Sequence, residues 1–80
     1  SFLLPLQKNK TVIEFKLQDG DYIELVQLLK RVKIVMSGGE AKMLIADGRV
    51  KRNGEIETRK RAKIRVGETV ETLGKTIVVI

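Results

Sequence analysis

Eighty residues carrying sixteen Lys or Arg against ten Asp or Glu, net +6, with neither Cys nor His, leave few chemical options open. A chain this short buries only a little over ~60% of the surface its unfolded form exposes, so 1–80 reads as a single domain with one core. Without thiol or imidazole there is no disulfide framework, cysteine nucleophile, Cys or His zinc site or histidine base, so no catalysis and no cofactor are expected.

Residues 1–20 read as a lead-in and first strand. Phe2-Leu3-Leu4-Pro5-Leu6 is too short for a signal-peptide core and no apolar run nears the ~20 residues that cross a bilayer, so a cytoplasmic setting with no membrane partner is expected. Ile13, Phe15 and Leu17 then alternate with charged residues in a half-buried strand pattern. Gln18-Asp19-Gly20 breaks it. Tyr22, Leu25, Val26, Leu29 and Val32 follow at helical spacing, predicting a helix from Asp21 to Lys33, with Asp21 and Glu24 as a capping box and Lys30, Arg31 and Lys33 at its basic end. After Ile34-Val35-Met36, a short buried connection, Ser37-Gly38-Gly39-Glu40 repeats the capping-box spacing. It opens a second helix, with Ala41, Leu44 and Ile45 as its apolar stripe and Asp47-Gly48 as its stop.

The remainder reads as strand: Val50, a turn at Asn53-Gly54, Ile56, then 63–66, 69–73 and 76–80, separated by turns at Gly67-Glu68 and Gly74-Lys75. Side-chain polarity argues the register of the first hairpin. A two-residue loop sets Val50 against Glu57 and Lys51 against Ile56. A three-residue loop of Arg52, Asn53 and Gly54 sets Val50 against Ile56 and Lys51 against Glu55, keeps each face consistent, and places Arg52 at an exposed tip. The three-residue loop is therefore expected.

Charge is not spread evenly. Residues 1–29 and 66–80 each carry net −1, whereas 30–65 hold twelve bases against four acids, net +8. Such a band is the footprint of a polyanion partner, although a solvated surface is the simpler alternative. Within it, Arg59, Arg61, Lys63 and Arg65 recur every second residue, so in an extended chain they share one face while Ala62, Ile64 and Val66 share the other. Arg49, Lys51 and Arg52 lie nearby in sequence. Ser37-Gly38-Gly39, with Lys42 one turn on, offers backbone amides to a phosphate, but plain capping accounts for it better.

The chain has three aromatics, Phe2, Phe15 and Tyr22, none of them in the basic band. Phe15 and Tyr22 are expected in the core, which leaves no stacking surface among the cations, so any nucleic acid would be held through phosphates, sugars and helix shape. The carboxylate pairs Asp19 and Asp21, Glu55 and Glu57, and Glu68 and Glu71 are accounted for by turns, caps and hairpin surfaces.

Ser37-Gly38-Gly39-Glu40-Ala41-Lys42, Ile45, Gly48-Arg49-Val50, Asn53-Gly54-Glu55, Glu57-Thr58-Arg59-Lys60-Arg61 and Val66-Gly67-Glu68-Thr69-Val70 form an ordered series from about Asp21 to Ile80. This series resembles the RNA-binding domain of the ribosomal protein S-four type, in the small stand-alone bacterial branch that includes the YbcJ and YaaA proteins. The resemblance implies an α+β fold built on the alpha-L motif: two short helices and a hairpin packed on a small, mainly antiparallel sheet. It also implies structured RNA, ribosomal or transfer, as the partner. Carried over by position, Ser37, Gly38 and Lys42 on the second helix, Arg49 and Lys51 after it, and Arg59, Lys60 and Arg61 beyond the hairpin become the RNA-binding candidates. The charge map adds Arg52 and Lys63. Arg52 departs from the family pattern, which has an apolar residue there. A monomer with no small-molecule substrate is expected. The rival readings are an adaptor for an acidic protein and a non-specific DNA-binding accessory.

Overall fold

In the computed structural model, which describes residues 11–18 and 20–80, the chain forms β1 (Thr11–Phe15), β2 (Ile23–Glu24), α1 (Leu25–Arg31), α2 (Gly38–Ala46), β3 (Val50–Arg52), β4 (Glu55–Ile56), β5 (Lys63–Ile64), β6 (Thr69–Thr72) and β7 (Lys75–Val79). The lead-in over 1–10 and Asp19 of the expected break lie outside the described residues. Five strands form one sheet in the order β1-β7-β6-β3-β4, and β2 pairs with β5 in a second, two-stranded sheet. Every pairing is antiparallel except β1 with β7. This is the α+β class read from the sequence.

The core is where helix stripes and strand alternation converge. Leu25, Leu28 and Leu29 of α1 and Ala41 and Ile45 of α2 meet Val50, Val70, Ile77 and Val79 of the large sheet, with Ala62 and Ile64 closing one side, all buried. Burial of each Leu, Ile or Val contributes roughly 1.5–3 kcal/mol. Ile13, Phe15 and Leu17 pack against this cluster from the edge, as their period of two predicts.

The first helix starts four residues later than its apolar spacing suggests. Ile23 and Glu24 pair with Ile64 and Lys63, and the helix-opening N–H groups of Leu25 and Val26 donate to the carbonyls of Ala62 and Lys60 at 2.9 and 3.1 Å. Those backbone acceptors do what a side-chain cap does for orphan amides, so the expected Asp21 and Glu24 capping box is not used. Glu24 takes the N-cap place in an extended conformation without a capping side-chain bond. Tyr22 is consequently outside the core and 40% exposed, contrary to expectation. At its far end α1 closes through Lys33, held at φ 62, with Ile34 N–H donating to Leu29 O at 3.1 Å. The second helix follows its signals closely: Glu40 N–H donates to Ser37 Oγ at 3.3 Å, Met36 N–H to Glu40 Oε1 at 2.8 Å, and Gly48 at φ 75 ends the helix.

The first hairpin overturns the expected register. Lys51 faces Ile56 and Arg52 faces Glu55, and Glu57 N–H donates to Val50 O at 2.9 Å, so the loop has two residues. Asn53 at φ 52 and Gly54 at φ 89 form the left-handed pair whose twist suits adjoining strands. The polarity conflict that argued against this register disappears because Glu57 is buried beside Arg52 and Arg59 rather than against Val50 alone. Arg52 is therefore not a tip residue. The last turn, at Leu73-Gly74, falls one residue earlier than expected.

Candidate functional site

The most basic segment, 57–65, is laid along the start of α1 by the β2–β5 pairing. Alternation there turns Ala62 and Ile64 into the core and leaves Arg61, Lys63 and Arg65 exposed. Val66, expected to face inward with them, is exposed. The row of cations does not continue as one strand through Arg59, because Ala62 N–H donates to Arg59 O at 3.2 Å and the chain turns at Lys60-Arg61. The turn gathers the bases instead of aligning them. Arg52, Arg59, Arg61, Lys63 and Arg65 surround one open depression of about 590 Å³, with Glu68 as the single acid among the described residues of its lining.

Two carboxylates organise this rim. Glu57 accepts from Arg59 Nε at 3.0 Å, from Arg59 N–H at 3.1 Å and from Arg52 Nη1 at 3.4 Å. The Arg59 guanidinium beside it, opposed by burial and aided by Arg52, lowers its carboxyl from 4.5 to about 2. Burial raises the Glu68 carboxyl, but the N–H of Arg65, Arg52 and Asn53 together outweigh that and leave it below the ordinary range. Arg52 also donates to Lys63 O at 2.8 Å, so the residue taken for an exposed cation is a brace between β3, β5 and the turn before β6. Arg59 spends part of its guanidinium on Glu57, yet its side chain remains 74% exposed, and that of Arg61, 3.3 Å from Glu24, is 81% exposed.

The other candidates are not all brought to this depression. Arg49 and Lys51 line a separate one with Lys75 and Glu71, Lys51 lying opposite Glu71 in register. Ser37 is occupied as the α2 cap, and Lys42 is exposed on that helix. Gly38 has no left-handed conformation, and a Cβ there would meet nothing within 4 Å, so the fold itself does not demand glycine. Among the residues sequence reasoning passed over, Glu68 emerges through its bond to Arg52 sixteen residues away, whereas Glu57 is held mainly by Arg59, two residues on. Arg65 was legible in the two-residue spacing. Tyr22 was assigned to the core, yet Lys63 Nζ stands 5.1 Å from its ring centroid, so an aromatic does adjoin the cationic rim.

Among known proteins, the family model for the S4 domain matches residues 15–80. The chain is 44% identical over 66 residues to YbcJ of Escherichia coli (strain K12), an alignment covering 82% of this chain and 94% of YbcJ. It is 38% identical over 56 residues to RlbA of Bacillus subtilis (strain 168), a probable ribosome maturation protein, covering 70% and 79% of the two chains. The solution structure of E. coli YbcJ, described as revealing an alpha-L motif involved in RNA-binding, matches with a TM-score of 0.68 at 38% identity, covering 100% of this chain and 98% of that one.

Proposed function

The chain belongs to the S4 domain family, and from that premise we propose that it is a non-catalytic module that binds structured RNA through phosphate and sugar contacts. The observation that carries this reading is the depression at 52–68, where five bases converge on one lining acid. Arg52 serves there as scaffold, with Arg59, Lys60, Arg61, Lys63 and Arg65 as the contacting groups. Arginine forks suit phosphate oxygens, and each phosphate neutralised releases counterions whatever the sequence. Ser37, Gly38 and Lys42 form a second contact at the start of α2. Arg49 and Lys51 contribute through the field of the whole chain.

The RNA-binding motif described for YbcJ and the probable role of RlbA in ribosome maturation support ribosomal RNA over transfer RNA as the partner, and we take the protein to be monomeric and cytoplasmic. The test compares hairpin RNA, duplex RNA, duplex DNA and an acidic polypeptide by filter binding at two salt concentrations. Preference for RNA at matched charge is expected, since only RNA offers the 2′-hydroxyl and an A-form groove. The site is tested by Lys60→Gln, Arg61→Gln and Arg65→Gln combined, which spares the Arg52 and Arg59 bonds to Glu57. RNA affinity should fall with a shallower salt dependence, roughly 0.7–0.9 of a log unit in slope per lost contact. Unchanged affinity would overturn the assignment.

A further inference from the structure

Beside the cationic depression lies a second and larger concavity, of about 710 Å³, and the β2–β5 pair is the wall between them. Arg61 and Lys63 belong to the first rim and Tyr22 and Glu24 to the second. The two rims are joined by the 3.3 Å Arg61–Glu24 contact and by Lys63 over the Tyr22 ring. A chain bound along the cations thus reaches the second concavity without leaving the surface.

The lining of that concavity combines three kinds of group. Tyr22, Phe15 and Leu17 supply aromatic and aliphatic surface, Gln27 an amide, and Lys16 and Arg31 positive charge. Asp21 and Glu24 also face it, which disfavours a bare phosphate but suits the N–H groups on a base edge. A lipid chain would need a continuous apolar surface, which these charges interrupt. A nucleotide uses all three kinds: a π-face for stacking, polar groups for the base edge and a cation for its phosphate.

We propose that this concavity receives one unpaired nucleotide of the bound RNA, its base stacked on Tyr22 and its flanking phosphates held by Lys63 and Arg61. The inference rests on the RNA-binding reading above and goes beyond it, since it makes the protein a reader of a junction between paired and unpaired RNA. Duplex backbone lies on the cationic rim and the first unpaired residue turns into the Tyr22 side. Tyr22 is the sole tyrosine of a chain without tryptophan, so its emission reports directly on this position.

The test uses a blunt RNA hairpin and the same hairpin with a short single-stranded extension, each titrated against the full chain and followed by labelled-RNA anisotropy and by tyrosine emission. The extension should strengthen binding about tenfold and quench Tyr22, whereas the blunt hairpin should do neither. Tyr22→Phe should keep the gain. Tyr22→Leu should lose it while binding the blunt hairpin as the parent does, which also shows that the variant is folded. Gln27→Ala, at an exposed position, should lose part of the gain. Equal affinity of the parent for both RNAs, or a full gain in Tyr22→Leu, overturns the nucleotide subsite and leaves the RNA-binding reading standing. Failure of the parent to bind either RNA overturns both.

Discussion

Arg52 grips Glu68 from sixteen residues away, with Nη2 at 2.9 Å from Oε2 and 3.0 Å from Oε1 and Nε at 3.1 Å from Oε2. The same guanidinium reaches Lys63 O and Glu57, so one side chain ties the end of β3 to three other segments. Arg52 and Glu68 are only 23% and 21% exposed, so their attraction is screened less than that of a surface pair.

Replacing Arg52 by Met should therefore lower stability by about 2–3 kcal/mol, somewhat less than the loss of one partner from a fully buried pair. Arg52→Lys should recover little, because an ammonium cannot reproduce the forked geometry. Urea denaturation measures both. An Arg52→Met protein as stable as its parent would remove the bracing role.

Acid should weaken the fold through Glu57. Its folded-state carboxyl is depressed to about 2 from 4.5, so its stabilisation is fully present above 4.5 and is lost as pH falls from 4.5 toward 2. Glu68, lowered as well, adds in the same direction. Thermal midpoints should hold steady near neutrality and drop below about pH 4.5, and Glu57→Gln should be less stable at neutral pH with a shallower acid limb. A parallel acid limb in the variant would point to other carboxylates.

The start of α2 separates stability from binding. Ser37→Ala removes the acceptor for Glu40 N–H and should cost about 1 kcal/mol. Gly38→Ala fills open space in a helical position and should stabilise by up to ~1 kcal/mol. If RNA approaches the backbone there, Gly38→Ala should bind more weakly despite being more stable. Calorimetry and RNA titration on the same variant distinguish the two effects.

Gly54 tests the hairpin register. It sits at φ +89 with nothing within 4 Å of a Cβ, so Gly54→Ala carries backbone strain alone, about 1–2 kcal/mol. Asn53→Gly keeps the turn but loses the Asn53 bonds to Glu68 and to Thr69 N–H, at 3.1 and 3.0 Å. It should cost less than Gly54→Ala. The reverse order in chemical denaturation would speak for a different loop.

Features built from neighbours in the chain were legible beforehand. The α2 cap at Ser37, its stop at Gly48, the alternation of Ile13 and Phe15, and the basic band itself all follow from local periodicity and capping, which need no distant partner. The family resemblance rested on the same local motifs. The readings of the first helix start and of Arg52 failed because their partners are distant in the chain. Tyr22 to Glu24 fit a helix by spacing, but the carbonyls of Ala62 and Lys60 offered the backbone a better start.

The sequence by itself thus determined an α+β fold with a concentrated positive charge and neither thiol nor imidazole, because composition and short-range periodicity are properties of the chain alone. Only the tertiary structure decided which cations are free. It withdrew Arg52 into a bond with Glu68, bent the Arg59–Arg65 row into a rim, and carried Tyr22 from the supposed core to the edge of that rim. The physical reason is that a carboxylate withdrawn from water must find a partner wherever the fold supplies one: Glu57 finds Arg59 and Arg52 close by in the chain, whereas Glu68 takes Arg52 from sixteen residues away.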